Sequence, residues 1–384
     1  MAKKTEAVPH IKSEVLREPA ELRYADQLEA LRQNDSEKAP EPWKLSPRAV
    51  LNYVTGLPKP LKATIDGTER EVAITRKFFG EDSIVERSIV TLASERALLL
   101  VGEPGTGKSW LSEHLAAAIS GDSTLSIQGT AGTTEEHIKY SWNIARVIAE
   151  GPTPNNLIPS PTMVAMRKGS LLRFEEITRC VPDVQDALVS ILSEKAIVIP
   201  ELPDENMSWA RTGFNIIATA NTRDQGVNEL SAALKRRFNY VYIPIISDQR
   251  TEVEVVEQRS AELLARYDLP ARVPAPMIEM LTTVFREIRE GKTTDGISIK
   301  KSSTALSTAE AISIAMDAAL YARFFGSGPI TARHIARNLI GSVVKENIED
   351  LAALKEYVAI VAKKRALTDD DWKEFHAEML VSAK

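Results

Sequence analysis

The 384-residue sequence predicts an α/β fold, a parallel sheet with helices on both faces, followed by a smaller helical subdomain. Three observations predict it. Short apolar runs alternate with helical periodicity up to about residue 246. A glycine-rich loop separates the first buried run from the helix behind it. Beyond Pro244 the spacing of apolar residues becomes helical almost throughout.

The elements follow in chain order. Residues 1–47 are polar, with Leu22, Ala25, Leu28 and Leu31 near helical spacing. This reads either as a loosely attached helix or as a solvated extension, followed by a charged linker carrying Pro40 and Pro42. Residues 48–246 form the α/β unit. LLLV (98–101) is an all-apolar run, as expected of a strand buried on both faces. Leu111, Leu115 and Ile119 then share one helical face. Further strands are predicted at 124–127, 170–174, 214–219 and 239–243. Residues 247–345 read as a helical lid, with helices at 251–267, 277–289, 308–321 and from Thr331. Residues 346–384 read as a charged helical tail.

Composition narrows the function classes. Apolar residues make up 43% and charged residues 26%, ordinary for a protein with a real core. The net charge of −5 supplies no global field for nucleic acid. The N-terminal stretch lacks an apolar signal-peptide region, and no apolar run approaches the roughly 20 residues of a membrane span. The lone Cys180 cannot form an intrachain disulfide, which suits a reducing cytosol. The expectation is a cytoplasmic protein without membrane contact. Cys180 reads as a small packed residue rather than a nucleophile or ligand; His114 and His137 carry no metal-ligand pattern, and His114 reads as structural.

The chemistry is concentrated in GEPGTGKS (102–109), which fits G-x-x-x-x-G-K-[ST] at every fixed position. It lies between a buried strand and an amphipathic helix, the context that the motif requires. Gly102, Gly105 and Gly107 let the backbone wrap a phosphate, and Glu103, Pro104 and Thr106 complete the loop. Loop amides and the helix N-terminus, through Ser109 and Trp110, face the anion. Lys108 is expected to reach the β- and γ-phosphates and the Ser109 hydroxyl to bind Mg²⁺. The expected cofactors are therefore ATP and Mg²⁺.

A second strand, SLLRF (170–174), runs into Glu175 and Glu176. Downstream of a phosphate loop, such a pair supplies a metal-side acid and a base for the attacking water. Glu175 is assigned to the metal side and Glu176 to the water. The usual first acid is Asp, and the extra methylene of Glu175 leaves a water-bridged metal contact open. Arg173 is unusual in a strand expected to be buried.

These residues together resemble the MoxR branch of the AAA+ ATPases. The likeness runs from about residue 79 to 344 through GEPGTGKS, LLRFEEITRCVPDVQDALVSILSEK, NIIATANTRDQGVNELSAALKRRF and a helical lid. Within that branch the sequence is most similar to ATPases encoded with von Willebrand factor A partner proteins. The resemblance implies a P-loop AAA+ core with a C-terminal helical lid, a homo-oligomeric and often hexameric ring, and chaperone-like remodelling of a protein client. It implies that Asn221 is the sensor-1 residue orienting the water with Glu176. It implies that Arg236 or Arg237 is an arginine finger for a neighbouring subunit's γ-phosphate, without choosing between them. Residues 129–168 and 196–203 match the two hairpins that this branch inserts; the first reads equally as a partner contact or as a self-packed loop. One position departs from the pattern. Ala309 stands where related chains carry the lid's sensor-2 arginine, with Arg333 as a candidate substitute.

The leading reading is an ATPase, ATP + H₂O to ADP + phosphate, that remodels a protein partner. The alternatives are a nucleotide-gated scaffold with little turnover and a nucleic-acid motor, the latter disfavoured by the acidic balance. A small-molecule kinase fits the landmarks less well.

Overall fold

In a computed structural model, residues 16–203, 206–222, 228–265, 272–303, 306–326, 328–344 and 348–382 are described. Of the sequence landmarks, Arg223 and Asp224 after Asn221, Ala305, Ser327 and Tyr267 lie outside them.

The described residues form two compact units. The first begins with two helices, α1 (Ala20–Arg23) and α2 (Ala25–Asn34). Ala20, Ala30 and Leu31 are buried, while Leu22 is exposed. Helices α1 and α2 are thus docked rather than loose. Asn34 and Gln33 donate to the backbone oxygens of Lys62 and Thr64 in the following hairpin. Helix α3 (Pro47–Thr55) starts at a Ser46 cap with Pro47 at its first position, where a missing N–H costs nothing. An antiparallel hairpin follows, β1 (Leu61–Ile65) with β2 (Thr68–Val72), then α4 (Asp82–Leu92).

Strand β3 (Ala97–Gly102) leads into α5 (Lys108–Ser120), whose Leu111, Leu115 and Ile119 are buried as their spacing predicted. Strand β4 (Ser126–Gln128) is followed by α6 (Glu135–Ile138), β5 (Tyr140–Trp142), α7 (Ile144–Glu150), β6 (Leu157–Pro159) and α8 (Pro161–Lys168). Helix α8 has a Ser160 cap and ends at Gly169 in the left-handed region (φ 68°). A Cβ at Gly169 would stand 2.2 Å from the Thr212 carbonyl oxygen, so glycine is required twice over. Strand β7 (Leu171–Glu175) precedes α9 (Pro182–Glu194), the antiparallel pair β8 (Ala196–Val198) and β9 (Met207–Trp209), β10 (Asn215–Asn221), α10 (Ala232–Lys235) and β11 (Phe238–Ile243).

The main sheet has the order β11-β3-β10-β7-β4. Both β10 and β4 pair with β7 in parallel, with Ile217 and Ser126 opposite Arg173. The predicted α/β fold with a parallel sheet is therefore the fold observed. Leu172 and Phe174 of β7 point into a core shared with Leu99, Met163, Leu188 and Ile216. Each such side chain, fully buried, contributes on the order of 1.5–3 kcal/mol. By strand alternation Arg173 and Glu175 face the opposite side, towards α5.

The second unit holds the loop Gly102–Lys108, the end of β10 at Asn221 and the chain from Tyr242 onward. It is helical: α11 (Gln249–Ala265), α12 (Ala275–Glu290), α13 (Thr308–Phe325), α14 (Ala332–Val343), α15 (Ile348–Tyr357), α16 (Lys363–Arg365) and α17 (Asp370–Ser382). A wider π-type turn at Val358–Ala362 separates α15 from α16. Helix α13 starts with a reciprocal capping box between Ser307 and Glu310. The core of this unit runs from Val256, Leu281 and Phe285 to Tyr357, Phe375 and Met379, so α15 and α17 pack into the same apolar interior as α11 and α12. No helix among the described residues is long and apolar enough to cross a membrane.

Candidate functional site

The phosphate loop joins β3 to α5, and its conformation demands glycine. Gly105 (φ 76°) and Gly107 (φ 87°) occupy the left-handed region. A Cβ at Gly102 would lie 2.4 Å from the Ile243 carbonyl oxygen, and one at Gly105 would lie 2.2 Å from the Cβ of Ser307. The loop closes on itself. Lys108 Nζ donates to the carbonyl oxygens of Gly102 (3.1 Å) and Glu103 (2.7 Å), and Thr106 Oγ1 donates to Glu103 O (2.9 Å). Lys108 is buried, so its ammonium group needs acceptors such as these. A phosphate entering the loop would offer it stronger, charged ones.

The acid at the end of β7 meets the first turns of α5. Ser109 Oγ donates to Glu175 Oε2 at 2.6 Å, and Ser112 Oγ, one turn on, donates to Oε1 at 2.6 Å. Thr219 Oγ1 adds a bond to Oε2 at 2.8 Å, and Arg173 adds one to Oε1 at 2.9 Å. A buried carboxylate with four donors is fully satisfied. A hydroxyl and a carboxylate are also hard oxygen donors of the kind that Mg²⁺ takes, so this pair fits that ion. Among the described residues, no group of three His, Cys, Asp or Glu side chains could hold a metal.

Glu176 adopts the left-handed conformation (φ 55°), unusual for a residue with a side chain. Its N–H donates to Thr219 Oγ1 at 2.9 Å. Thr219 therefore holds both acids at once, through its hydroxyl proton and its lone pair. The Glu176 carboxylate pairs with Arg179. Asn221 ends β10 two residues after Thr219, which gives both the same strand face. Sequence reasoning missed Thr219, although its signal was present in the Ala-Thr-Ala-Asn run that drew attention to Asn221.

Trp110 faces elsewhere. Its Nε1 donates to the Lys77 carbonyl oxygen at 2.9 Å, and its ring packs against His114 and under the Arg23 guanidinium. Only its backbone, in the first turn of α5, remains to serve an anion. On the same helix, buried Glu113 pairs with Arg23 at 2.8 Å and also with Arg17, which ties the N-terminal helices to the phosphate-loop helix. His114 is a structural residue, 3.0 Å from the Tyr53 hydroxyl. Cys180 is fully buried, and burial pushes its thiol pKa up, consistent with a packed residue rather than a nucleophile.

The two arginines before β11 differ. Arg237 is engaged by its own chain, donating to Ser193 Oγ and to the Ala233 carbonyl oxygen. Arg236 is exposed. Arg333 pairs with Glu374 (3.4 Å) and Glu378 (3.8 Å) of α17, so it does not substitute at the position of Ala309. The arginine at the start of α13 is instead Arg289, which donates to the Leu306 carbonyl oxygen at 2.9 Å and pairs with buried Glu252 at 3.3 Å. In the hairpin β5–β6, Tyr140 and Trp142 both donate to Glu201, while Ile144 and Ile148 of α7 are exposed.

Comparison with known proteins is consistent with this arrangement. Residues 97–238 match the AAA domain of the dynein-related subfamily, and residues 250–379 match the YehL-like AAA+ ATPase C-terminal domain. The uncharacterised protein YehL of Escherichia coli K12 is 45% identical over 345 residues, covering 89% of this chain and 91% of that protein. The gas vesicle ATPase GvpN of Haloferax mediterranei is 27% identical over 176 residues, 42% of this chain and half (50%) of GvpN. Among solved structures, NtrX of Brucella abortus in complex with ATP is a distant likeness, with a TM-score of 0.47 and 11% identity over 78% of this chain and 67% of that one. With a matching nucleotide-binding domain, a matching C-terminal domain and a relative similar along nearly its whole length, the chain belongs to the YehL-like AAA+ ATPases.

Proposed function

We propose that this protein binds MgATP at 102–109 and hydrolyses it to ADP and phosphate, as one subunit of a ring that remodels a protein partner. The observation that carries the reading is the 2.6 Å bond from Ser109 of the phosphate loop to Glu175 at the end of β7. It joins, from distant parts of the sequence, the two oxygen donors that a nucleotide-bound magnesium requires. When bound, the metal would neutralise charge on the phosphates. Lys108 holds the β- and γ-phosphates, and the loop amides bind their oxygens. Glu176 takes the proton of the attacking water once its carboxylate leaves Arg179, and Asn221 orients that water. Arg236 is the better finger candidate, because Arg237 already bonds to Ser193 and Ala233.

Phosphate release at high protein concentration tests the reading. Wild type turns over, Lys108→Ala loses nucleotide binding, and Glu176→Gln binds nucleotide without turnover. Undiminished binding by Lys108→Ala would sink it. Arg236→Ala is expected to keep binding and lose turnover; full activity in Arg236→Ala, Arg237→Ala and the double variant would remove the finger. A nucleotide-gated scaffold is the second reading. It draws support from the ion pairs that already occupy Glu175 and Glu176. Nucleotide binding with no phosphate release in wild type would favour it.

The MoxR-like sequence landmarks support a chaperone-like role, with a von Willebrand factor A protein as the partner, a hexameric ring and a cytoplasmic setting. Retention of a protein client by Glu176→Gln in ATP, and its release by wild type after hydrolysis, is the expected outcome of a pull-down. DNA-stimulated turnover with steep salt dependence would point to a nucleic-acid motor instead.

A further inference from the structure

Arg173 is an ionised residue in an interior strand, and the phosphate loop does not by itself require it. A guanidinium so enclosed is tolerated only when its N–H groups find acceptors. Its side chain is 12% exposed and makes four polar contacts. Nε donates to Ser112 Oγ (3.0 Å), one terminal nitrogen to Ser123 O (3.0 Å), and the other to Ser109 O (3.2 Å) and Glu175 Oε1 (2.9 Å). Three of these partners lie on α5 or at the acid. The two oxygens of Glu175 are thereby divided. Oε1 faces Arg173 and Ser112, whereas Oε2 faces the Ser109 hydroxyl and Thr219. A fixed cation thus already sits on the carboxylate assigned to the metal.

We propose that Arg173 is a positioning residue that sets how tightly this site holds the divalent cation of a bound nucleotide. The inference rests on the MgATP reading above. The guanidinium sits on Oε1, so Oε2, held only by the neutral hydroxyls of Ser109 and Thr219, is the oxygen that the metal would meet. Its charge opposes that of the dication, so the hold is weaker than a lone carboxylate would give, and the metal–product complex leaves more readily. Removing the charge should tighten metal binding. A merely structural role predicts no such gain.

The test measures Mn²⁺ binding to the full-length protein by electron paramagnetic resonance in the presence of ADP. The variants are Arg173→Gln and Arg173→Met, both neutral, and Arg173→Lys, which keeps the charge. Binding of a fluorescent ATP analogue in EDTA reports whether each variant is folded and holds nucleotide without metal. The expected result is Mn²⁺ binding about tenfold tighter in either neutral variant and within about twofold of wild type in the Lys variant, the size of effect for one nearby charge at high effective dielectric. Unchanged or weaker Mn²⁺ binding in a neutral variant that still binds nucleotide in EDTA overturns the proposal. Tightening in Arg173→Lys equal to that in Arg173→Gln overturns it too, since charge would not be the lever. Failure of the wild type itself to bind nucleotide would instead remove the MgATP reading, and this inference with it.

Discussion

Replacing Thr219 with Val isolates the residue that serves both acids. Thr219 is 1% exposed, and Val has nearly its shape, so packing is retained. Two bonds are lost: the donation to Glu175 Oε2 at 2.8 Å and the acceptance from the Glu176 N–H at 2.9 Å. A bond to a charged group contributes about 1.5–3 kcal/mol, and a stranded N–H costs about 1–3 kcal/mol. Glu175 retains three donors and Glu176 is half-buried, so relaxation recovers part of the sum, leaving about 3 kcal/mol. For a unit of this size that lowers the melting temperature by about 6–12 °C. Thermal melting followed by circular dichroism measures it, with Thr219→Ser, which keeps the hydroxyl, as the control. Under the proposed function, turnover should fall at least about tenfold while nucleotide affinity changes little, because the lost N–H bond orients Glu176 and not the phosphate loop. A melting temperature and a turnover both equal to wild type would refute the reasoning, since the hydroxyl would then be dispensable.

Other consequences follow from the helical unit and the loop. Arg289→Ala leaves the fully buried Glu252 with the Thr308 hydroxyl in place of its ion pair and should cost about 3–5 kcal/mol in urea unfolding; a loss below about 1 kcal/mol would mean that neutral donors suffice. Acid should destabilise this unit through Glu287. Burial works against its charge, but bonds from Arg365, Tyr357 and Thr294 outweigh it and hold its pKa below the ordinary 4.5. A carboxylate depressed on folding contributes stability above its unfolded pKa and loses it as pH falls through the folded one. Asp295, drawn down to about 2 beside Lys364, acts with the same sign. Melting temperature should therefore hold between neutral pH and about pH 5, then drop, and Arg365→Gln should lower the plateau and flatten the drop. Gly105→Ala combines a positive φ (76°) with a Cβ 2.2 Å from that of Ser307, so nucleotide affinity measured by calorimetry should fall at least about tenfold; unchanged affinity would mean that the loop can yield.

Local chemistry explains what the sequence revealed. The run LLLV marks a strand because one buried on both faces is apolar throughout, and LRFE marks another because successive side chains on a strand face opposite sides. GEPGTGKS is legible because a backbone that wraps an anion needs glycines at fixed places. What stayed hidden depends on tertiary contact. Leu22, a periodic apolar residue, is exposed, whereas the N-terminal segment docks through Arg23 and Glu113, whose pairing no period announces. The tail reads only as charged and helical, and nothing in its sequence announces that Tyr357 and Phe375 are fully buried in the helical core. Arg333, chosen for its place at a helix start, turns to Glu374, while Arg289 reaches the start of α13 from a different helix. Register within an element can be read from sequence, but the side chain that arrives from another element cannot.

The unusual acid at position 175 and the unusual arginine at 173 have one physical origin. The carboxylate must cross from β7 to the first turns of α5, where Ser109 and Ser112 each stand 2.6 Å from it. An Asp would stop about one C–C bond, roughly 1.5 Å, short and could not hold both hydroxyls without moving the strand. The longer Glu reaches them, but it carries more rotamer freedom, so its orientation must be fixed from the side. Arg173 is two residues back on the same strand face and does this on Oε1, while Thr219 does it on Oε2. Each departure from the expected pattern makes sense only with the other, and a variant that restored Asp at 175 while keeping Arg173 would leave the guanidinium without its carboxylate.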